Sequence, residues 1–330
     1  MERINQNISI ICAPFGVGGP NDAAKDGPKA LLDNYIHEDL VELGFNIKII
    51  KPSRDVMHYV SKKLEYGTKN RIKNIDAVVK VNEWLAKIVT DEVKEGSIPL
   101  TIGGDHSLAI GTISGIHGAV DNFGVLWVDR HFDAHSPKST PSWRSHGMPV
   151  AVVIGDKDYD KHPDFQRLLS IGKNKKLPKI NPENFVHLGI GEKSLIKPPT
   201  KWYLMEDIDE YGINKVIHNA ISYLLQRVKH VYVAWDIDSM NVTGTGTSGD
   251  SQLTLREGLV IARAIDKKLR LADKLIGIEF MEIAPRLERK ELKGQTIDWT
   301  TQLLTTCFGG NLFNNLSRMT RNINMHAKDV

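Results

Sequence analysis

Residues 125–135, VLWVDRHFDAH, set two carboxylates and an imidazole at the end of an apolar run. Val125, Leu126, Trp127 and Val128 are strand formers. Side chains of an extended chain alternate between faces, so Asp129, His131 and Asp133 are expected to leave this strand on one face, with Arg130 and Phe132 pointing away. Carboxylates gathered in a buried place are unfavourable unless a positive charge sits among them, and a divalent metal ion supplies it. Three more strings carry polar groups at the ends of apolar runs: His106 in IGGDHS, Asp236 and Asp238 in WDID, and Glu282 in FMEIAP. In open parallel sheets ligands sit beyond the carboxyl ends of the strands, so these groups are expected to meet. Two imidazoles and four carboxylates, before Glu282 is counted, are too many charges for one zinc ion, and no thiolate is near in sequence. The set suits two hard or borderline ions bridged by shared carboxylates, Mn²⁺ ahead of Mg²⁺ because of the histidines. Two such ions about 3.5–4 Å apart hold a hydroxide at neutral pH, which makes metal-assisted hydrolysis the reaction class.

The elements that position these groups follow from periodicity. Short apolar runs at 8–13, 45–50, 98–102, 123–128, 184–191, 230–235 and 275–280 read as strands. Between them lie helices expected at 27–43, 74–95, 108–116, 215–229, 255–271 and 296–308, the second of which shows clear amphipathic spacing from Ile75 through Val89. Residues 52–69 and 157–181 are polar and read as surface excursions. Strands alternating with helices imply a parallel sheet covered on both faces, an α/β protein of three layers. No composition shift marks a domain boundary, so residues 1–330 are read as one domain. The Gly16, Gly18, Gly19 segment is a weak phosphate-loop signal and is read as a turn. Lys173, Lys175, Lys176 and Lys179 are read as a solvated loop.

Bulk composition narrows the function class. With 43 basic against 40 acidic residues there is no nucleic-acid footprint. No run of about twenty apolar residues occurs, so no membrane span is expected. The start of the chain lacks a basic segment followed by a long apolar one, so no secretory signal is expected. Cys12 and Cys307 lie far apart and are read as reduced thiols, which suits the cytoplasm or a reducing organellar lumen.

The strings IGGDHS, WVDRHFDAH, HGMP, DID and FMEIAP resemble, in order and spacing, the motifs of the arginase family of ureohydrolases. The resemblance runs from ICAPFGVGGP to the helix around Cys307. It implies a single α/β/α sandwich with a central parallel sheet, assembled as a homotrimer. It implies two Mn²⁺ ions, one held by His106, Asp129, Asp133 and Asp236, the other by His131 and Asp238 with Asp129 and Asp236 shared. His146 matches the family's proton-shuttle histidine, and Glu282 the acid that pairs with a substrate guanidinium. Asp133 would also hydrogen-bond the bridging hydroxide. The implied reaction is hydrolysis of a small guanidino compound to urea and an amine.

The departures bear on substrate. Thr140 and Ser142 match two carboxylate-binding hydroxyls, but His135 stands where the family has an Asn, and Arg144 replaces an amide. Ser194 takes the place of the acid that contacts an α-amino group, and Lys197 that of a nearby Glu. Losing acids beside a cationic group and adding a lysine predicts weak recognition of L-arginine. Two alternatives stay open: a catalytically inactive relative that keeps the fold for binding or regulation, and a deacetylase-like hydrolase on a related fold. Taken singly, the site residues have ordinary readings too, such as a Glu282–Arg286 ion pair or Asp236 and Asp238 as turn formers.

Overall fold

Eight apolar runs build one sheet. In chain order they are β1 (Asn7–Cys12), β2 (Asn46–Ile50), β3 (Ile98–Ile102), β4 (Gly124–Val128), β5 (Phe185–Ile190), β6 (Lys201–Leu204), β7 (Val231–Asp236) and β8 (Leu275–Met281). The computed structural model describes residues 6–66, 69–155, 161–247 and 252–311. The spatial order is β2-β1-β3-β8-β7-β4-β5-β6, and every pairing is parallel. Parallel pairing requires crossovers, and the helices that make them cover both faces.

The strand alternation decides which helices each side chain meets. In β7, Val231, Val233 and Trp235 join one apolar layer and Tyr232 and Ala234 the other. The first layer lies under α1 (Gly27–Asp33), α2 (Ile36–Glu42), α8 (Met205–Tyr211), α9 (Ile213–Leu225), α10 (Leu255–Ile265) and α11 (Gln295–Cys307). The second lies under α3 (Arg54–Val60), α4 (Ile75–Lys94), α5 (Ala109–Ala119), α6 (Pro149–Val153) and α7 (Pro163–Leu169). The central strands β3, β4, β7 and β8 are buried along their whole length. That is why they read as unbroken apolar runs and not as alternating ones.

Four readings of the sequence need correction. The helix expected over 27–43 is two helices, because Tyr35 adopts a left-handed φ of 61° between them. The break has a packing reason. Leu31, Ile36 and Leu40 are all fully buried, yet a five-residue step turns an unbroken helix by about 140° away from its starting face. The polar excursions at 52–69 and 157–181 contain α3 and α7, which bury Val56 and Val60, and Phe165 and Leu168; residues 67, 68 and 156–160 lie outside the described residues. Sequence reading also passed over β6 and α8. Finally, Lys179 is not solvated: it is 2 % exposed, with Nζ donating to the Ile171 carbonyl at 2.7 Å.

The buried Lys179 has a measurable consequence. Burial, and then the charge of Lys175, pushes its ammonium down to about 8. The unfolded chain therefore binds more protons than the folded one above that pH, so this group's contribution to stability rises between pH 8 and about 10.4. Below pH 8 the full penalty of a buried charge is present. Lys179→Met is expected to be more stable than the parent at pH 7. The gain should shrink by on the order of 2 kcal/mol as pH passes 10. Urea denaturation at pH 7 and pH 10.5 checks it; an equal difference at both pH values would show that Lys179 stays charged.

Candidate metal centre

Four neighbouring strands, β3, β8, β7 and β4, deliver the site. β4 stops at Val128, and Asp129 follows directly beyond it. Val128 pairs with Trp235, so Asp129 emerges beside Asp236. Asp236 in turn pairs with Met281, whose successor is Glu282. His106 comes from the turn after β3, where the Asp105 side chain accepts the Ser107 and Gly18 amides at 3.1 and 2.9 Å. Asp133 and Glu282 take left-handed φ values of 47° and 60°. Such backbone is uncommon for residues other than glycine and recurs where the fold must aim a group into a site.

His106 Nδ1 lies 3.0 Å from Asp129 Oδ2, 3.0 Å from Asp236 Oδ2 and 3.2 Å from Asp133 Oδ2. None of these contacts has hydrogen-bond geometry, and Nδ1 is fully enclosed. The four atoms converge on a shared point instead of pairing. A second group forms beside the first: His131 Nδ1 is 3.0 Å from Asp238 Oδ2 and 3.5 Å from Asp129 Oδ1. Two sets, His106–Asp129–Asp236 and Asp129–His131–Asp238, have donor atoms within 4.8 Å of one another and share Asp129. Asp238 Oδ1 is buried without a partner. This donor set is all carboxylate oxygen and imidazole nitrogen, and it fits divalent ions of the Mn²⁺ type.

Electrostatics describes the same strain. Burial, followed by Asp238 and Asp129, raises the Asp236 carboxyl well above the usual range. Burial and then Asp129 raise Asp133 to about 7. Burial opposes charge on His106, but the three facing carboxylates outweigh it and raise its pKa. Carboxylates crowded in this way favour cations among them.

Supports surround the set. Trp127 Nε1 donates to Asp129 Oδ2 at 2.8 Å, and the indole stacks on the His106 ring at 4.1 Å between centroids. Trp127 and Asp129 are two apart in sequence, the spacing that puts two side chains of an extended chain on one face, and sequence reading missed the contact. Arg130 lies beside the outer edge of the His131 ring, with Nη1 3.2 Å from Nε2. The chain leaves the strand at Val128, and strict alternation ends with it. Phe132 is buried in the apolar layer as expected. The expected glycine turn is a brace: the Gly18 carbonyl accepts the His146 amide at 3.2 Å and the Gly19 carbonyl accepts Arg144 Nη1 at 2.7 Å.

Above the carboxylates opens a cleft of about 180 Å³. His135, Thr140, Ser142 and His146 line it, together with Glu192 and Thr247, which sequence reading had not singled out. Thr247 bonds Asp238 Oδ2 through its hydroxyl. Glu192 Oε1 accepts the Phe132 amide at 2.8 Å. Burial, then His131 and Arg144, pushes His146 down to about 3, so its imidazole is neutral at pH 7. Glu282 is 2 % exposed, and its Oε1 accepts the His106 amide at 3.0 Å. The backbone of Gly246 packs on its other oxygen; a Cβ there would stand 2.5 Å from Oε2. Glu282 forms no pair with Arg286, which binds Asp22 and Asp26. Ser194 is not among the lining residues, and its hydroxyl accepts the Ile196 amide at 3.1 Å.

A family model described as the arginase family matches residues 6–309. The chain belongs to the arginase family. It is 32% identical to the arginase of Brevibacillus brevis over 318 residues, covering 94% of this chain and 100% of that one. It is 33% identical to arginase-1 of Homo sapiens over 322 residues, covering 94% and 95% of the two chains. The solved arginase of Bacillus caldovelox superposes with a TM-score of 0.80 at 31% identity, over 93% of this chain and 99% of that one. The three-layer fold with a parallel eight-stranded sheet is thus the arginase fold, as the strings at the strand ends had implied. No helix among the described residues is long and apolar enough to cross a membrane.

Proposed function

We propose that this arginase-family chain hydrolyses a small guanidino compound to urea and an amine at a centre of two Mn²⁺ ions. The observation that carries the reading is the pair of ligand sets joined through Asp129. His106, Asp129, Asp133 and Asp236 would hold one ion, and His131 and Asp238 the other, with Asp129 and Asp236 shared. Bound there, two such ions polarise the substrate and supply a nucleophile at neutral pH. The remaining roles belong to side chains. Asp133 accepts a hydrogen bond from the attacking water and fixes its approach. Glu282 pairs with the guanidinium. His146, held neutral, accepts a proton at its ring nitrogen and returns it to the leaving amine. Thr140, Ser142 and His135 meet the far end of the substrate. Ser194, which is not among the residues lining the cleft, and Lys197 offer no acid to an α-ammonium, which supports poor use of L-arginine. The same feature favours the second reading, a catalytically inactive relative with a binding role. We further take residues 1–330 as one domain in a homotrimer within a reducing intracellular compartment, without nucleic-acid or membrane partners.

Two measurements test the function. Elemental analysis after incubation with Mn²⁺ and desalting is expected to give close to two ions per chain. A panel of guanidino compounds is expected to release urea, with His146→Asn lowering the rate by about 10²–10⁴-fold, the usual range for a positioned acid or base. Two bound ions with no urea from any compound would favour the inactive reading. Trace metal would remove the centre itself.

A further inference from the structure

Behind His106, on the side away from the carboxylates, lies a second buried polar cluster. Glu279, in the middle of β8, is 0 % exposed. Its Oε2 accepts the Thr112 hydroxyl at 2.7 Å, and that hydroxyl comes from α5. Its Oε1 lies 3.9 Å from His106 Nε2. The Tyr232 hydroxyl, from the adjacent strand β7, also faces this carboxylate. Three enclosed atoms here have no hydrogen-bond partner: His106 Nε2, Glu279 Oε1 and Tyr232 Oη. Buried polar atoms are normally satisfied, so three orphans in one place require an account.

The two ring nitrogens of His106 have different work. Nδ1 faces three carboxylates, so with a cation among them it must present a lone pair. The neutral ring then carries its proton on Nε2. That N–H points into a closed interior, where Glu279 Oε1 is the acceptor that faces it. The 3.9 Å gap exceeds hydrogen-bond length, and a small side-chain torsion closes it. We infer that Glu279 is a positioning residue that accepts a hydrogen bond from the Nε2–H of His106 and thereby fixes both the tautomer and the ring orientation of that ligand. Thr112 holds the opposite carboxylate oxygen, so Glu279 cannot rotate away. Trp127, stacked on the ring face, blocks tilt in the other direction. The ligand is thus held along its plane by one group and across it by another. Carboxylate partners of this kind act through the histidine and not on the substrate.

The inference rests on the proposed Mn²⁺ centre, and its test separates the two. Free Mn²⁺ is measured by electron paramagnetic resonance during titration of the parent, Glu279→Gln and Thr112→Val. In the parent, two saturable equivalents are expected. Glu279→Gln, an isosteric change that can turn an N–H toward the ring, is expected to weaken one equivalent by about 10–100-fold and leave the other within two-fold. Thr112→Val should weaken the same equivalent by less, and it serves if the glutamine variant does not fold. Nitrogen-15 spectra of histidine-labelled protein loaded with diamagnetic Zn²⁺ give a second readout that a loss of stability alone does not move. The His106 signal should show the Nε2–H tautomer in the parent and lose that definition in Glu279→Gln. Two equivalents of unchanged affinity and an unchanged tautomer in a folded variant would overturn the role of Glu279 alone. No saturable Mn²⁺ binding by the parent would overturn the centre and this role with it.

Discussion

Asp236→Asn is expected to abolish turnover while making the metal-free protein more stable. Asp236 sits 3.0 Å from His106 Nδ1 and faces Asp129 and Asp238 in a fully buried setting. A neutral amide of the same shape keeps the backbone contact, because Oδ1 still accepts the Asp238 amide at 2.8 Å. It removes one of the crowded negative charges, so the folded chain without cations gains by relief of repulsion and desolvation. A rise of about 2 °C in melting temperature is in proportion for a chain of this size. The same substitution deletes the strongest class of donor for a hard cation. Urea release should fall by roughly 10³-fold or more, in line with removal of one group that stabilises developing charge. Added Mn²⁺ should raise the melting temperature of the parent and not of the variant. Differential scanning fluorimetry with and without Mn²⁺, beside a urea assay, reads both signs. A variant that melts lower than the parent in the absence of metal would show that these carboxylates are not in mutual conflict.

Gly104→Ala is expected to have the largest effect on folding. A Cβ at Gly104 would lie 1.4 Å from the Phe15 carbonyl oxygen and 2.4 Å from its carbon. Both are backbone atoms, and the oxygen is pinned because it accepts the Asp105 amide at 2.8 Å. Nothing flexible can yield. Moving the two segments apart breaks that bond and shifts Asp105 and His106, the next two residues. The loss should be at least about 4 kcal/mol, the range reserved for backbone clash and broken buried contacts, with little soluble protein. Gly147→Ala is the control, since its Cβ would meet only His135 Cδ2 at 3.6 Å, an ordinary contact. Chemical denaturation of the two variants measures the difference. Parental stability in Gly104→Ala would mean that the loops after β1 and β3 do not cross as closely as described.

The sequence by itself determined most of what is local. Period-3.6 patterning located α4, and short unbroken apolar runs located the buried strands, because a helix turns one side toward a layer while a central strand is covered on both faces. The candidate ligand types were legible as well, since buried carboxylates gathered at the ends of apolar runs are unfavourable without a positive charge among them. Other features depended on how distant segments meet. The order β3-β8-β7-β4 sets His106, Glu282, Asp236 and Asp129 side by side, although up to 176 positions separate His106 and Glu282 in the chain. Strand order is a property of the crossovers, which local pattern does not encode. Lys179 looked like part of a charged loop, and only the packing of 171–180 shows a buried ammonium on a carbonyl. Glu279 is one acidic letter in an apolar strand. Its chemistry emerges only when Thr112 from a helix, Tyr232 from the next strand and His106 from another strand end close around it, because a hydrogen-bond partner is chosen by proximity in space and not along the chain.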